Sequence, residues 1–261
     1  MILPVQIQQL IRQRKGEKKL GEDLFVVDNE KWQKALQKRP KKTRFVILGI
    51  PESIGVLGNS GRSGTEKAWP AFLNAFVNLQ NNRFLSGESF ALLGTIDVSD
   101  LQERAKELHQ EHSYYLQKLH VLCEELDERV EAVALQIFEA DGIPIVIGGG
   151  HNNAYPLLKA AALSSASGSV NAINMDAHAD FRHLEGRHSG NAFSYAFQRG
   201  YLNRYYALGL HHSYNAEHMI QAMESKAGVG FSFFEDIEYL QDTFDEGMAF
   251  VAHPTIKTGV E

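Results

Sequence analysis

Apolar positions along the chain follow two periods. Phe45–Ile50 (FVILGI) is a continuous apolar run closed by Pro51, which predicts a strand buried on both faces. Ile143–Ile147 (IPIVI), entered through a turn at Asp141-Gly142, and Val170–Met175 (VNAINM) have the same character. Tyr205–Leu210 and Val229–Phe234 are two further strand candidates. Between Leu101 and Ala140 the period changes. Leu108, Tyr115, Leu119, Leu122, Leu126, Val130, Val133 and Ile137 recur at intervals of three, four or seven, which predicts one helix, or two joined helices, with one face on a core. A coiled coil fits less well, because strands resume at once. Leu157–Leu163 reads as helix and Gly55–Gly64 as a long Gly/Ser loop. Short apolar strands alternating with helices predict an α/β domain built on a mainly parallel sheet covered on both faces.

Composition narrows the class. The 261 residues are 44% hydrophobic and 22% charged, enough to bury a core without disulfide or metal staples. A net charge of -6 argues against a nucleic-acid binder held by phosphate contacts. Two basic runs, at 12–19 and 38–44, are interleaved with acidic and apolar residues and read as solvated surface rather than a polyanion site. Met1–Leu20 lacks a signal peptide's apolar run, and no stretch is long and apolar enough to span a membrane. With one cysteine, Cys123, no internal disulfide can form. A cytoplasmic protein in a single domain, without repeats, is the expectation.

Candidate chemistry lies at two strand ends, where open α/β sheets place their ligands. One predicted strand runs into Gly148-Gly149-Gly150-His151 and then Asn152-Asn153. Another runs into Asp176-Ala177-His178-Ala179-Asp180, whose two-residue alternation can aim three side chains into one cavity. Carboxylates mixed with imidazoles suit a hard-to-borderline divalent ion such as Mn²⁺. Neither phosphate-binding glycine pattern, G-x-x-x-x-G-K-[ST] or G-x-G-x-x-G, is present. Cys123 falls within the helical stripe, so a thiolate zinc site is excluded and the residue reads as core.

GGGHNNAYP (148–156) and NMDAHADFR (174–182) closely resemble the first two signatures of the ureohydrolase superfamily of arginases, agmatinases and formimidoylglutamases. The resemblance extends over roughly 45–235 and includes GIPESIGVLGNSGRSGTEKAWP (49–70), similar to the family's substrate-side loop. It implies a three-layer α/β/α sandwich with a binuclear manganese centre, two ions per subunit, at the strand ends. By the same resemblance His151 and Asp180 would serve one metal, His178 the second, and Asp176 would bridge. His188 matches the proton-shuttling histidine, with an ordinary loop histidine as the other reading. Arg182, Asn191 and Asn153 match substrate contacts. Gly-Gly-Gly-His-Asn and Arg182 resemble the formimidoylglutamase branch more than the arginases and agmatinases, and a guanidinium fork suits a substrate bearing carboxylates. The activity implied is hydrolysis of N-formimidoyl-L-glutamate to L-glutamate and formamide, part of histidine degradation. Hydroxide made available near neutral pH would attack the amidine-type carbon, Asp180 would steady the developing charge, and a histidine would protonate the leaving nitrogen.

The family's third signature, Ser-x-Asp-x-Asp followed by Asp-Pro, supplies two more carboxylates and is not found. Asp236 and Glu238 have a similar spacing but lie in a stretch that precedes the ligand strand in relatives. The expectation is therefore an N-terminal extension at 1–43, a core at 44–235 and a divergent or truncated tail at 236–261. Four ligands of six fit a single ion better than two. A competent hydrolase, an agmatinase- or arginase-like guanidino hydrolase, and a truncated relative that only binds metal stay open. A deacetylase-like metal hydrolase is a remoter reading. The partner expected is a small molecule, with neither nucleic acid nor membrane. Homo-oligomers are common in the family, but no interface is legible.

Overall fold

Apolar runs pair side by side as parallel strands because helices cover both of their faces. The computed structural model describes residues 2–27 and 31–260. In its first half come β1 (Ile2–Leu3), β2 (Phe25–Val26), α1 (Trp32–Gln37), β3 (Phe45–Gly49), α2 (Ile54–Gly58) and α3 (Ala68–Phe76). They are followed by β4 (Phe90–Ile96), α4 (Ser99–Lys106), α5 (Tyr115–Glu139) and β5 (Ile143–Ile147). The second half has α6 (Ala154–Leu163), β6 (Val170–Met175), α7 (Ala192–Gln198), β7 (Leu202–Leu210) and α8 (Glu217–Glu224). Then β8 (Val229–Phe233), α9 (Leu240–Val251) and β9 (Thr258–Val260) close the order.

The mainly parallel α/β architecture matches expectation, but the strands divide between two sheets. One has the order β1-β4-β3-β5, with β2 also on β4; the other is β8-β7-β6-β9. Among the described residues every pairing between these strands is parallel except β1 on β4. Pleat alternation then sorts the side chains. Val46 and Leu48 of β3 face a core built with α4 and α5, while Ile47 faces a second core with Trp69 and Leu73 of α3. In the other sheet Ala172, Tyr205 and Ala207 pack toward α7, and Ile173, Tyr206 and Leu208 pack toward α9. Each sheet is thus sandwiched, and α6 packs against both α5 and α7 to bring the two cores together.

Several boundaries move. The stripe from 101 to 140 is two helices, broken at 107–114. Within α5 the predicted positions Leu119, Leu122, Leu126, Val130, Val133 and Ile137 are all buried, as is Cys123. The Gly55–Gly64 loop is helical over its first residues, as the end of α2. The apolar pattern does not single out β4, the strand that pairs with β1, β2 and β3, because its Phe-Ala-Leu-Leu run lacks the β-branched residues that mark β3. The tail after Val251, expected to lack strand character, adds β9 beside β6. The basic runs are tied down locally: Lys18 pairs with Asp23 and Lys42 with Glu88, while Arg39 donates to four backbone carbonyls.

Candidate metal centre

Carboxyl ends of β5 and β6 supply the site. After Ile147 the chain must turn sharply, and Gly148 (φ +89°) and Gly149 (φ +72°) do so in the left-handed region that glycine enters without cost. A Cβ on Gly149 would lie 2.5 Å from Oε1 of Glu52, so the loop also needs glycine for close approach. His151 follows at the start of a short helical turn, His151–Asn153, that leads into α6. From β6 the chain enters Asp176, and Asp180 adopts φ +44°, which aspartate tolerates better than most residues. Asn215 clamps this second loop, accepting from the Ala179 N–H and donating to the Ala177 carbonyl. The Tyr205 hydroxyl donates to the Ala179 carbonyl.

Three of the four expected ligands converge. Donor atoms of His151, Asp176 and Asp180 all lie within 4.8 Å of one another, the one such group among the described residues. His151 Nδ1 is 2.6 Å from Asp180 Oδ2 and 3.3 Å from Asp176 Oδ2. Phe193 stands edge-on to the His151 ring and restrains it. His178 contributes no atom to the group. It is exposed, its Nδ1 3.4 Å from Asp176 Oδ1, and its ring stacks on Tyr214 at 5.1 Å. Asp236 and Glu238, both exposed, are not part of it.

Burial and charge set the state of the carboxyls. Burial pushes Asp180 above the usual carboxylate range, although His151 beside it pulls the other way. Asp176 is also pushed up by burial, but hydrogen bonds from His151 and from the His178 N–H outweigh that and leave it below its ordinary value. Two carboxylates and an imidazole, one carboxyl disfavoured as an anion without a nearby cation, are a donor set that fits a borderline divalent ion.

The remaining expected residues have the following surroundings. His188 is 1% exposed; its Nδ1 accepts from Gly190 N–H and its Nε2 lies 3.1 Å from Glu185 Oε1. Burial, with His120 alongside, lowers its pKa to about 4, so it is neutral at pH 7 with both ring nitrogens engaged. Asn153 Nδ2 donates to Glu52 and to the Gly150 carbonyl, and Asn191 Nδ2 donates to Gly186. Both amides are buried and build loops. Arg182 is exposed, its Nε 3.6 Å from Glu185 Oε1.

Three residues were not anticipated. Arg187, 2% exposed, pairs with Asp127 of α5 and donates to the Asn152 carbonyl and to Asn191 Oδ1. Glu52, fully buried, gathers N–H groups from the His151 loop and from α2, and burial pushes its carboxyl up. Asp127 carried a legible signal, an acid inside the apolar stripe between Leu126 and Val130.

His188 makes a pH prediction. Its folded pKa lies below the unfolded value near 6.5, so the unfolded chain takes up the proton first as pH falls. Stability is fully present above about pH 6.5 and is lost toward pH 4, by up to about 3 kcal/mol from this group. Urea unfolding at pH 7 and pH 4.5 should show a shallower loss in His188→Gln than in the unsubstituted chain; parallel slopes would contradict the assignment.

Residues 43–254 match the profile of the Arginase family. The chain belongs to the arginase family. Among curated relatives, the formimidoylglutamase of Macrococcus caseolyticus is 31% identical over 202 residues, covering 77% of this chain and 56% of that protein. The formimidoylglutamase of Staphylococcus carnosus is 25% identical over 221 residues, covering 85% and 60%. The chain therefore spans somewhat over half the length of these relatives. Of solved structures, Bacillus subtilis formimidoylglutamase superposes with TM-score 0.69 at 18% identity, covering 95% of this chain and 70% of that one. A Trypanosoma cruzi formiminoglutamase solved with Mn²⁺ gives TM-score 0.65 at 20% identity, covering 90% and 72%. These superpositions establish the arginase-like fold, and no helix of the described residues is long and apolar enough to cross a membrane.

Proposed function

We propose that this arginase-family chain hydrolyses a linear amidine, N-formimidoyl-L-glutamate, to L-glutamate and formamide at a manganese site. The observation that carries this reading is the convergence of His151, Asp176 and Asp180 at adjoining loops, in a chain whose curated relatives are named formimidoylglutamases. His151, Asp176 and Asp180 would hold the ion, with His178 within reach of the same carboxylate. When bound, manganese lowers the pKa of water and polarises the carbon under attack. Water's oxygen ends on the formimidoyl carbon, the bond from that carbon to the glutamate nitrogen breaks, and the nitrogen leaves with a proton.

The chain's own residues frame that reaction. Arg182, exposed at the rim, can grip a substrate carboxylate through a two-pronged guanidinium contact. Asp180, an anion that burial disfavours unless a cation lies beside it, is suited to serving as a ligand and to steadying charge that develops at the site. His188, buried and neutral, serves the reaction by fixing the 185–191 loop rather than by carrying a proton. Three converging ligands favour one ion over two, and this same observation supports a second reading, metal binding without turnover.

The test is formamide release by the manganese-loaded chain, with agmatine as the competing substrate and bound manganese measured per chain. Release from the formimino compound alone supports the proposal. Turnover of agmatine alone favours the guanidino reading, and one bound ion without turnover of either favours the binding-only reading. Cytoplasmic location and assembly into a homo-oligomer belong to the same proposal, the latter checked by light scattering.

A further inference from the structure

We infer that Glu52 is a positioning residue for His151, acting through the Gly148–Asn153 loop without touching substrate. The inference rests on the metal-binding part of the reading above and extends it to a residue outside the ligand set. β3 and β5 are neighbouring parallel strands, so their carboxyl ends lie side by side. Glu52 leaves the end of β3 and reaches beneath the loop that leaves β5. Its Oε1 accepts from the Gly150 N–H at 2.6 Å, from Asn153 Nδ2 at 3.0 Å and from Asn152 Nδ2 at 3.3 Å. Its Oε2 accepts from the N–H groups of Ile54 at 2.6 Å and Gly55 at 3.2 Å. One carboxylate thereby ties the residues on either side of His151 to the first turn of α2.

The need for such a tie follows from the sequence of the loop. Gly148, Gly149 and Gly150 have no side chains with which to anchor themselves, and glycine has the most backbone freedom to lose. A ligand that follows three glycines needs its position fixed from outside. A carboxylate satisfied by five N–H donors can do this, whereas apolar packing against bare glycine backbone could not direct the N–H groups. Glu52 is fully buried, which removes it from contact with substrate. The same ties draw both Asn152 and Asn153 amide nitrogens inward, and their Oδ1 atoms are left buried without a hydrogen-bond partner. That arrangement spends polar satisfaction to hold the loop in one place.

Glu52→Gln is the discriminating variant. Both carboxylate oxygens face backbone N–H groups, Gly150 on one side and Ile54 with Gly55 on the other, and these cannot flip. Whichever way the glutamine amide turns, its NH₂ meets a donor. Manganese binding is read by electron paramagnetic resonance titration with Mn²⁺ alone, and thermal unfolding is followed without metal. Loss of an outer-shell support costs roughly 10–100-fold in metal affinity, and that weakening is expected for Glu52→Gln. Leu101→Ala, a buried apolar truncation in α4, supplies the comparison: it lowers the unfolding temperature while leaving Mn²⁺ affinity unchanged. If Glu52→Gln does not fold, Asn153→Ala, which cuts one tie to Oε1, decides the matter with a several-fold weakening. Equal Mn²⁺ affinity in the folded variant and the unsubstituted chain overturns the inference alone. No Mn²⁺ binding by the unsubstituted chain overturns the metal reading and this inference with it.

Discussion

Asp180→Asn is expected to abolish tight manganese binding while leaving the metal-free fold at least as stable as before. The carboxylate lies 2.6 Å from His151 Nδ1 and belongs to the converging group, so its loss removes a ligand rather than a support. Outer-shell substitutions cost roughly 10–100-fold in affinity, and a ligand should cost more than about 100-fold. Asparagine preserves side-chain volume and tolerates the positive φ at this position, which alanine would not. Burial already disfavours the Asp180 anion, so a neutral isostere relieves a cost in the metal-free state. The two effects separate in one measurement. With free Mn²⁺ at 100 times its Kd, the unsubstituted chain gains about 2.7 kcal/mol, and Asp180→Asn should gain less than about 0.4 kcal/mol. Formamide release should fall in step. A variant that keeps its manganese-induced rise in unfolding temperature would remove Asp180 from the site.

How far the sequence could be read depends on how local each signal is. The strands β3, β5 and β6 were legible because they are short, largely apolar segments rich in Val and Ile and bounded by turn residues, and two of them lead straight into the ligand motifs. β4 was not, because its Phe90–Leu93 run carries Ala and Leu where β3 carries Val and Ile, a composition that serves a helix as well as a strand; Gly94, at φ +111° and against the Leu3 carbonyl, is explained only by the distant N-terminal strand. His151, Asp176 and Asp180 were legible as a local motif plus one strand end, and the structure brings them together. His178 shares the motif's spacing, yet stacking on Tyr214 and exposure keep it outside the group, and spacing alone cannot tell which way a loop side chain turns. The interior residues that support the site were the least legible. Glu52 is 98 residues from Gly150 in sequence, and Asp127 is 60 from Arg187. Such partners are neighbours only in the folded chain, so no local pattern joins them.

Arg187→Met should be the most destabilising single substitution around the site. The guanidinium is 2% exposed, donates from Nε to Asp127 Oδ2 at 2.8 Å, and lies against the rings of Tyr155 and Tyr195 at 4.6 and 5.0 Å. Removing one partner of a buried pair leaves the other charge uncompensated, at a cost of about 3–5 kcal/mol. In a chain of this size that corresponds to roughly 10 °C in unfolding temperature. Burial already pushes Asp127 up to about 7 with Arg187 in place, and without it the carboxyl rises further. A carboxyl raised in the folded state costs stability as pH climbs above its unfolded value near 3.8. With a folded pKa of about 7 in the presence of Arg187 and a higher one without it, the two chains lose stability in parallel from about pH 4 to pH 7, and the penalty of Arg187→Met should grow as pH rises above 7. Adding Asp127→Leu removes the stranded carboxyl and should recover much of the stability. It cannot recover the hydrogen bond that Arg187 donates to the Asn152 carbonyl, next to His151, at 2.9 Å. Stability and Mn²⁺ affinity should part company in the double variant, the first restored and the second still weakened. If both return together, Arg187 is an anchor of the fold alone; if neither returns, the ion pair is not what holds this part of the core.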